Sequence, residues 1–156
     1  MNFLKKKHEH QKSNIYAVSK KYLTLLLVFF FALNLTAQDE PIKLVFDVTS
    51  SNVKTHQSTM RHVNSMAESF PDSKFEVVVY SGSLEMVLAE KSTVADVILK
   101  FAENDNVTFK VCATTMKRGG ADKSMLIKGV DVVPNPLVQI YSRQKEGWGY
   151  IKETNN

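Results

Sequence analysis

The chain has 156 residues, 44% of them hydrophobic, with 20 basic and 16 acidic side chains, a net charge of +4 and one cysteine. That length suits one domain around one core, and a lone cysteine excludes an internal disulfide. The basic surplus sits in one terminal segment, so charge gives no ground for a nucleic-acid partner.

The terminal segment places Lys5, Lys6, Lys7, Lys12, Lys20 and Lys21 ahead of an apolar run from Tyr22 to Leu35, followed by Leu35-Thr36-Ala37. A basic stretch, an apolar stretch and a small residue in that order predict a secretory signal over residues 1–37, cleaved after Ala37. The apolar run is short of the ~20 residues that a membrane-spanning helix needs, so a membrane association is expected only if the signal stays uncleaved. Removing residues 1–37 takes away six lysines and one glutamate, which leaves 14 basic and 15 acidic side chains and a net charge of −1. The expected location is periplasmic or secreted, and residues 38–156 are expected to form a single domain.

Ile42 to Thr49 is an almost continuous β-favouring run that suits an internal strand covered on both faces. Asp47 near its end reads as a solvated strand end. A polar loop from Ser50 to Thr55 then precedes Met60, Val63, Met66, Ala67 and Phe70, whose spacing of three and four predicts an amphipathic helix ended by Pro71. His56 and His62 are six residues apart on that helix, too far around its axis for a metal pair, and are expected to be solvated. No metal site is expected.

Phe75 to Tyr80 is the second strand, and it enters Ser81-Gly82-Ser83, where Gly82 permits a tight turn or a close approach of backbone to ligand. A short helical turn is expected over Leu84 to Lys91. Thr93 and Asp96 resemble a capping box for a helix carrying Val94, Val97, Ile98 and Phe101. Val107 to Cys112 is the third strand, and alternation sets Thr108, Lys110 and Cys112 on the face opposite Val107, Phe109 and Val111. After Cys112 the run Ala113 to Gly120 reads as a polar, basic loop. A brief helix is expected over Asp122 to Ile127, and a fourth strand over Val130 to Val133. Asn135-Pro136 opens a helix with Leu137, Ile140 and Tyr141 on one side, Gly147 stops it, and Trp148 to Ile151 is the last strand.

Strands alternating with helices imply a mainly parallel sheet with helices on both faces. Ligands of such sheets bind beyond the carboxyl ends of the strands, where the segments after Thr49, Tyr80 and Cys112 gather. That rim carries one nucleophile, Cys112, and Lys110, Lys117 and Arg118 lie near enough in sequence to favour its thiolate. No glycine-rich nucleotide motif accompanies them. Cys112 is therefore either a reactive thiol or a small buried hydrophobe at a strand end.

Five stretches carry a family resemblance: Lys43 to Val48, Phe75 to Val79, Val107 to Cys112 with Thr115-Met116-Lys117, Val130 to Pro134, and Gln144 to Lys152. With these in order, the chain resembles the DsrE/DsrF-like family of sulfur-relay and related proteins, specifically its exported branch. The resemblance implies a three-layer α/β fold, flavodoxin-like, with a central, mainly parallel five-stranded sheet, and a homo-oligomer. It further implies a sulfurtransferase or sulfur-relay role in which Cys112 carries sulfur as a persulfide between thiol or persulfide donor and acceptor proteins. Lys110, Thr115, Lys117, Tyr80 and Gly82 would line the site, and no cofactor is expected. The alternative on the same fold is a non-catalytic oligomeric module that binds a small ligand or a partner. Related sequences often read His-Gly after the second strand, where this chain has Tyr80-Ser81-Gly82, so no proton-exchanging histidine is expected there.

Overall fold

The five β-favouring runs become five strands, β1 (Lys43–Val48), β2 (Lys74–Val79), β3 (Val107–Cys112), β4 (Val130–Val133) and β5 (Gly149–Glu153), in a computed structural model that describes Tyr22 and residues 40–154. The expected signal segment and its cleavage point fall outside the described residues, Tyr22 excepted. The chain divides into Met1–Glu40 and Pro41–Asn156, and all five strands belong to the second unit. Among the described residues no helix is long and apolar enough to cross a membrane.

All ladders are parallel, in the order β4-β3-β2-β1-β5. Four helices connect the strands: α1 (Val53–Ser69), α2 (Ala95–Lys100), α3 (Ala113–Arg118) and α4 (Pro136–Lys145). The connections from β1 to β4 all step the same way across the sheet, whereas α4 carries the chain back from β4 to β5. Because parallel crossovers are right-handed, a reversal of direction puts the return helix on the opposite face.

The two faces differ accordingly. One buries Phe46, Phe75 and Phe109 with Val77, Val79 and Val111 under Met60 and Val63 of α1, Ile98 of α2 and Met116 of α3. Each of those phenylalanines is fully buried and contributes about 2–3 kcal/mol. The other face has only Val45, Val78 and Ile140, flanked by Tyr80 and Trp148, as its apolar contact beneath α4.

Several local expectations are corrected. Asp47 is buried rather than solvated, as is His56, whose Nε2 donates to the Ser50 carbonyl at 2.7 Å. His62 is exposed yet donates through Nδ1 to buried Glu153 at 2.9 Å. Asn52 caps α1 by accepting from the Lys54 N–H at 2.9 Å, so the helix begins inside the segment read as loop. Val94, not Thr93, caps α2, and the hydroxyl that accepts from its N–H is that of Ser92. The turns expected over Leu84 to Lys91 and Asp122 to Ile127 are tight three-residue-per-turn helices at Ser81–Val87 and Lys123–Met125. Asn135 caps α4 as expected, accepting from the N–H groups of Leu137 and Val138.

Candidate functional site

Adjacent connections diverge where the one after β3 leads to α3 on the phenylalanine-rich face and the one after β4 leads to α4 on the other. Such a divergence opens a crevice beyond the carboxyl ends of the two strands, the usual place for a ligand in an open parallel sheet. Cys112 ends β3 there, in register with Val133 at the end of β4.

The segment after Cys112 is not the loop that its sequence suggests. Ala113–Arg118 is α3, with Cys112 as its extended N-cap residue. Thr114 and Thr115 are weak helix formers, but burial of Met116 and Thr115 rewards the turn. Cys112 is buried, 4% exposed, and unpaired. Burial pushes its thiol up, but the N–H and hydroxyl groups of Thr115, and then of Thr114, outweigh that and bring it below its ordinary value of 9.0. The thiol makes no capping hydrogen bond with α3, so these dipoles act by favouring the thiolate.

Three hydrogen bonds tie neighbouring strand ends into one rim. The Ser81 N–H donates to Thr115 Oγ1 at 3.0 Å, the Gly82 N–H donates to the Thr49 carbonyl at 3.1 Å, and Ser83 Oγ donates to the Val48 carbonyl at 2.7 Å. The left-handed position of the turn falls on Ser81, with φ of +61°, rather than on Gly82. Gly82 is needed for space, since a Cβ there would meet the Thr49 carbonyl oxygen at 3.0 Å.

Beside the thiol on the same sheet face lies a polar cluster that the sequence did not announce. Tyr80 follows Val79, whose register partner is Val111, so Tyr80 and Cys112 are neighbours one step further along adjacent strands. Tyr80 and Tyr150 donate to Asp47 Oδ2 at 3.3 and 2.7 Å, and Lys152 donates to Asp47 Oδ1 at 3.0 Å and to Thr49 Oγ1 at 2.8 Å. Lys152 Nζ also stands 5.7 Å from the centre of the Tyr80 ring. Burial first, then the Asp47 charge, push the Tyr80 hydroxyl up to about 12; the hydrogen bond to Asp47 does most to raise Tyr150 to about 12. Both hydroxyls therefore stay protonated at neutral pH and act as donors, not as proton exchangers.

Of the residues the sequence singles out, Cys112, Thr115, Tyr80 and Gly82 meet at this edge. Lys110 shares the Cys112 face but its Nζ is bound to Asp131 Oδ2 at 2.6 Å, and Lys117 is exposed on α3. The groups acting on the thiol are those of Thr115 and Thr114. An Asp in an apolar strand was the one available signal of the Asp47 cluster. No group of three or more His, Cys, Asp or Glu side chains able to hold a metal occurs among the described residues.

A model of the DsrE/DsrF-like family matches residues 43–152. No curated protein matches the chain. Among solved structures, the chain is similar to MTH1491 from Methanobacterium thermoautotrophicum, a protein of unknown function, at 26% identity and a TM-score of 0.65, covering 71% of this chain and 98% of that one. It shares its fold with the ychN protein from E. coli, at 15% identity and a TM-score of 0.60, over the same shares of the two chains.

Proposed function

The chain belongs to the DsrE/DsrF-like family, and from that premise we propose that it is an exported sulfur-handling protein whose Cys112 carries sulfur as a persulfide. The observation that carries this reading is the setting of Cys112: the only cysteine of the chain, at the divergence of two strand ends, with its thiol lowered by Thr115 and Thr114. In the loading step the Cys112 thiolate attacks the outer sulfur of a donor persulfide, R–S–SH. The Sγ–S bond forms as the donor S–S bond breaks, and the donor leaves as a thiolate that takes a proton from solvent. In the unloading step an acceptor thiolate attacks the same outer sulfur and Cys112 leaves as thiolate. Each step is an exchange without net oxidation. Tyr80, whose hydroxyl is held by Asp47, serves as a wall beside the thiol.

Three parts of this reading have separate supports. Export rests on the segment 1–37, and N-terminal sequencing of the exported protein should begin at Gln38. Homo-oligomerisation is supported by Leu137, Val138 and Tyr141, all exposed on the outer face of α4; Leu137→Asp with Tyr141→Asp should reduce the particle size in solution. Persulfide carriage is tested by mass spectrometry after exposure to a persulfide donor. A gain of about 32 Da, lost in Cys112→Ser, is expected; a protein that gains no sulfur sinks the proposal.

The burial of Cys112 favours a second reading, in which the thiol packs and the rim binds a small ligand or partner without chemistry. It predicts a thiol that resists alkylation until the protein is denatured.

A further inference from the structure

On the phenylalanine-rich side of the sheet, away from Cys112, α1, α2 and the residues just before α2 line an open cleft of about 420 Å³, within the range of small-molecule sites. Its apolar side is built from Met60, Val94 and Val97. Met60 and Val94 are almost wholly buried, so their contacts with the rest of the core fix that wall. The rim is cationic: Arg61 comes from the α1 wall and Lys100 from the end of α2. Neither forms an ion pair among the described residues. The carboxylates nearest in sequence lie outside the lining: Glu103 is paired with Lys128 at 2.9 Å, Asp96 lies one turn before Lys100 on α2, and Glu68 on α1 accepts at 2.7 Å from Nδ2 of Asn64, a lining residue.

Two cations facing one opening repel each other, and an anion between them removes that cost. An apolar wall beneath them rewards a ligand that also carries hydrocarbon. We propose that the cleft between α1 and α2 binds an amphiphilic anion, a small molecule with one carboxylate-like head and a short unbranched apolar chain. The head sits between Arg61 and Lys100, and the chain lies along Met60, Val94 and Val97. The site is separate from the thiol edge and independent of any sulfur chemistry.

Methyl NMR of the full chain titrated with octanoate tests this assignment. Saturable shifts of the Met60, Val94 and Val97 methyl signals are expected, with much weaker ones for octanol, which has the same chain and no charge. Arg61→Glu with Lys100→Glu, both at exposed positions where folding should be unaffected, should raise the octanoate Kd about tenfold or more. No saturable shift at those methyls, equal shifts with octanol, or an unchanged Kd in the folded double variant would each overturn the proposal.

Discussion

Arg143 grips Glu76 with two nitrogens, Nε to Oε1 at 3.1 Å and Nη2 to Oε2 at 2.8 Å, beneath α4. Glu76 is fully buried in the middle of the sheet and also accepts from Gln139 Nε2 at 2.7 Å and from Thr108 Oγ1 at 3.3 Å. Gln139 and Arg143 are four residues apart, hence on one face of α4. With only Ile140 of α4 in the apolar contact, the return helix is positioned by charge as much as by hydrophobic burial.

Arg143→Ala should therefore cost about 3 kcal/mol of stability in urea denaturation, because it strands a buried carboxylate. Arg143→Lys keeps the charge but loses the two-pronged geometry and should recover only part of it. Replacing both partners, Glu76→Met with Arg143→Met, should restore more stability than either single change allows. A cost for Arg143→Ala below about 1 kcal/mol would mean that the pair does not hold the helix.

The alkylation rate of Cys112 should rise with pH around a midpoint below 9.0, since the groups of Thr115 and Thr114 favour the thiolate. Thr115→Val removes a hydroxyl and should move the midpoint up, whereas Thr115→Ser should move it little. The sign for stability follows from the lowered thiol: the contribution is present above the unfolded thiol's pKa and lost as pH falls through the folded one. A midpoint at or above 9.0 in the native protein would remove the support that Thr115 gives to thiolate chemistry.

The strands were readable because their signal is local. Phe75 to Val79 is a β-favouring run whatever surrounds it, and the Val107, Phe109, Val111 alternation names the buried face of β3 without help. The polar clusters were not readable, because their partners lie far along the chain. Lys152 reaches Asp47 across 105 positions and Arg143 reaches Glu76 across 67, and nothing near either acid announces the match. Helix α3 failed for another reason: two threonines and a following pair of glycines argue for a loop, and only the burial of Thr115 and Met116 overrides them. The site was legible as a place, the carboxyl edge around Cys112, but not as a set of partners. Lysines near in sequence were expected to act on the thiol, and threonine groups do so instead.

The turn after β2 should respond in opposite directions at two neighbouring positions. Ser81 holds φ of +61°, a conformation that costs a residue with a Cβ about 1 kcal/mol, so Ser81→Gly should be neutral or mildly stabilising. Gly82→Ala must push the new methyl against the Thr49 carbonyl oxygen and the Ser51 N–H, at 3.0 and 3.2 Å, and should cost about 1–2 kcal/mol. Thermal denaturation of the two variants would show the difference, and a destabilised Ser81→Gly beside an unaffected Gly82→Ala would contradict this account of the turn.

Alkaline pH should weaken the fold through Tyr80 and Tyr150. Both hydroxyls are raised to about 12 by Asp47 and by burial, against an ordinary value of 10.0. A folded pKa above the unfolded one means that the stabilisation is complete below pH 10.0 and is lost as pH rises toward about 12, because the unfolded chain releases protons that the folded one retains. Tyr80 and Tyr150 should thus ionise late in a tyrosinate absorbance titration of the native protein. Asp47→Asn removes the charge yet keeps an acceptor for both hydroxyls, so the late ionisations should move back toward 10.0 while part of the hydrogen bonding survives. Lys152 then loses its carboxylate but remains near enough to solvent to be hydrated, its side chain being 36% exposed. The expected cost at neutral pH is modest, about 1–2 kcal/mol, and the stability profile between pH 10.0 and about 12 should flatten. If the profile keeps its slope in Asp47→Asn, burial alone raises the tyrosines, and Asp47 does not organise the cluster beside the thiol.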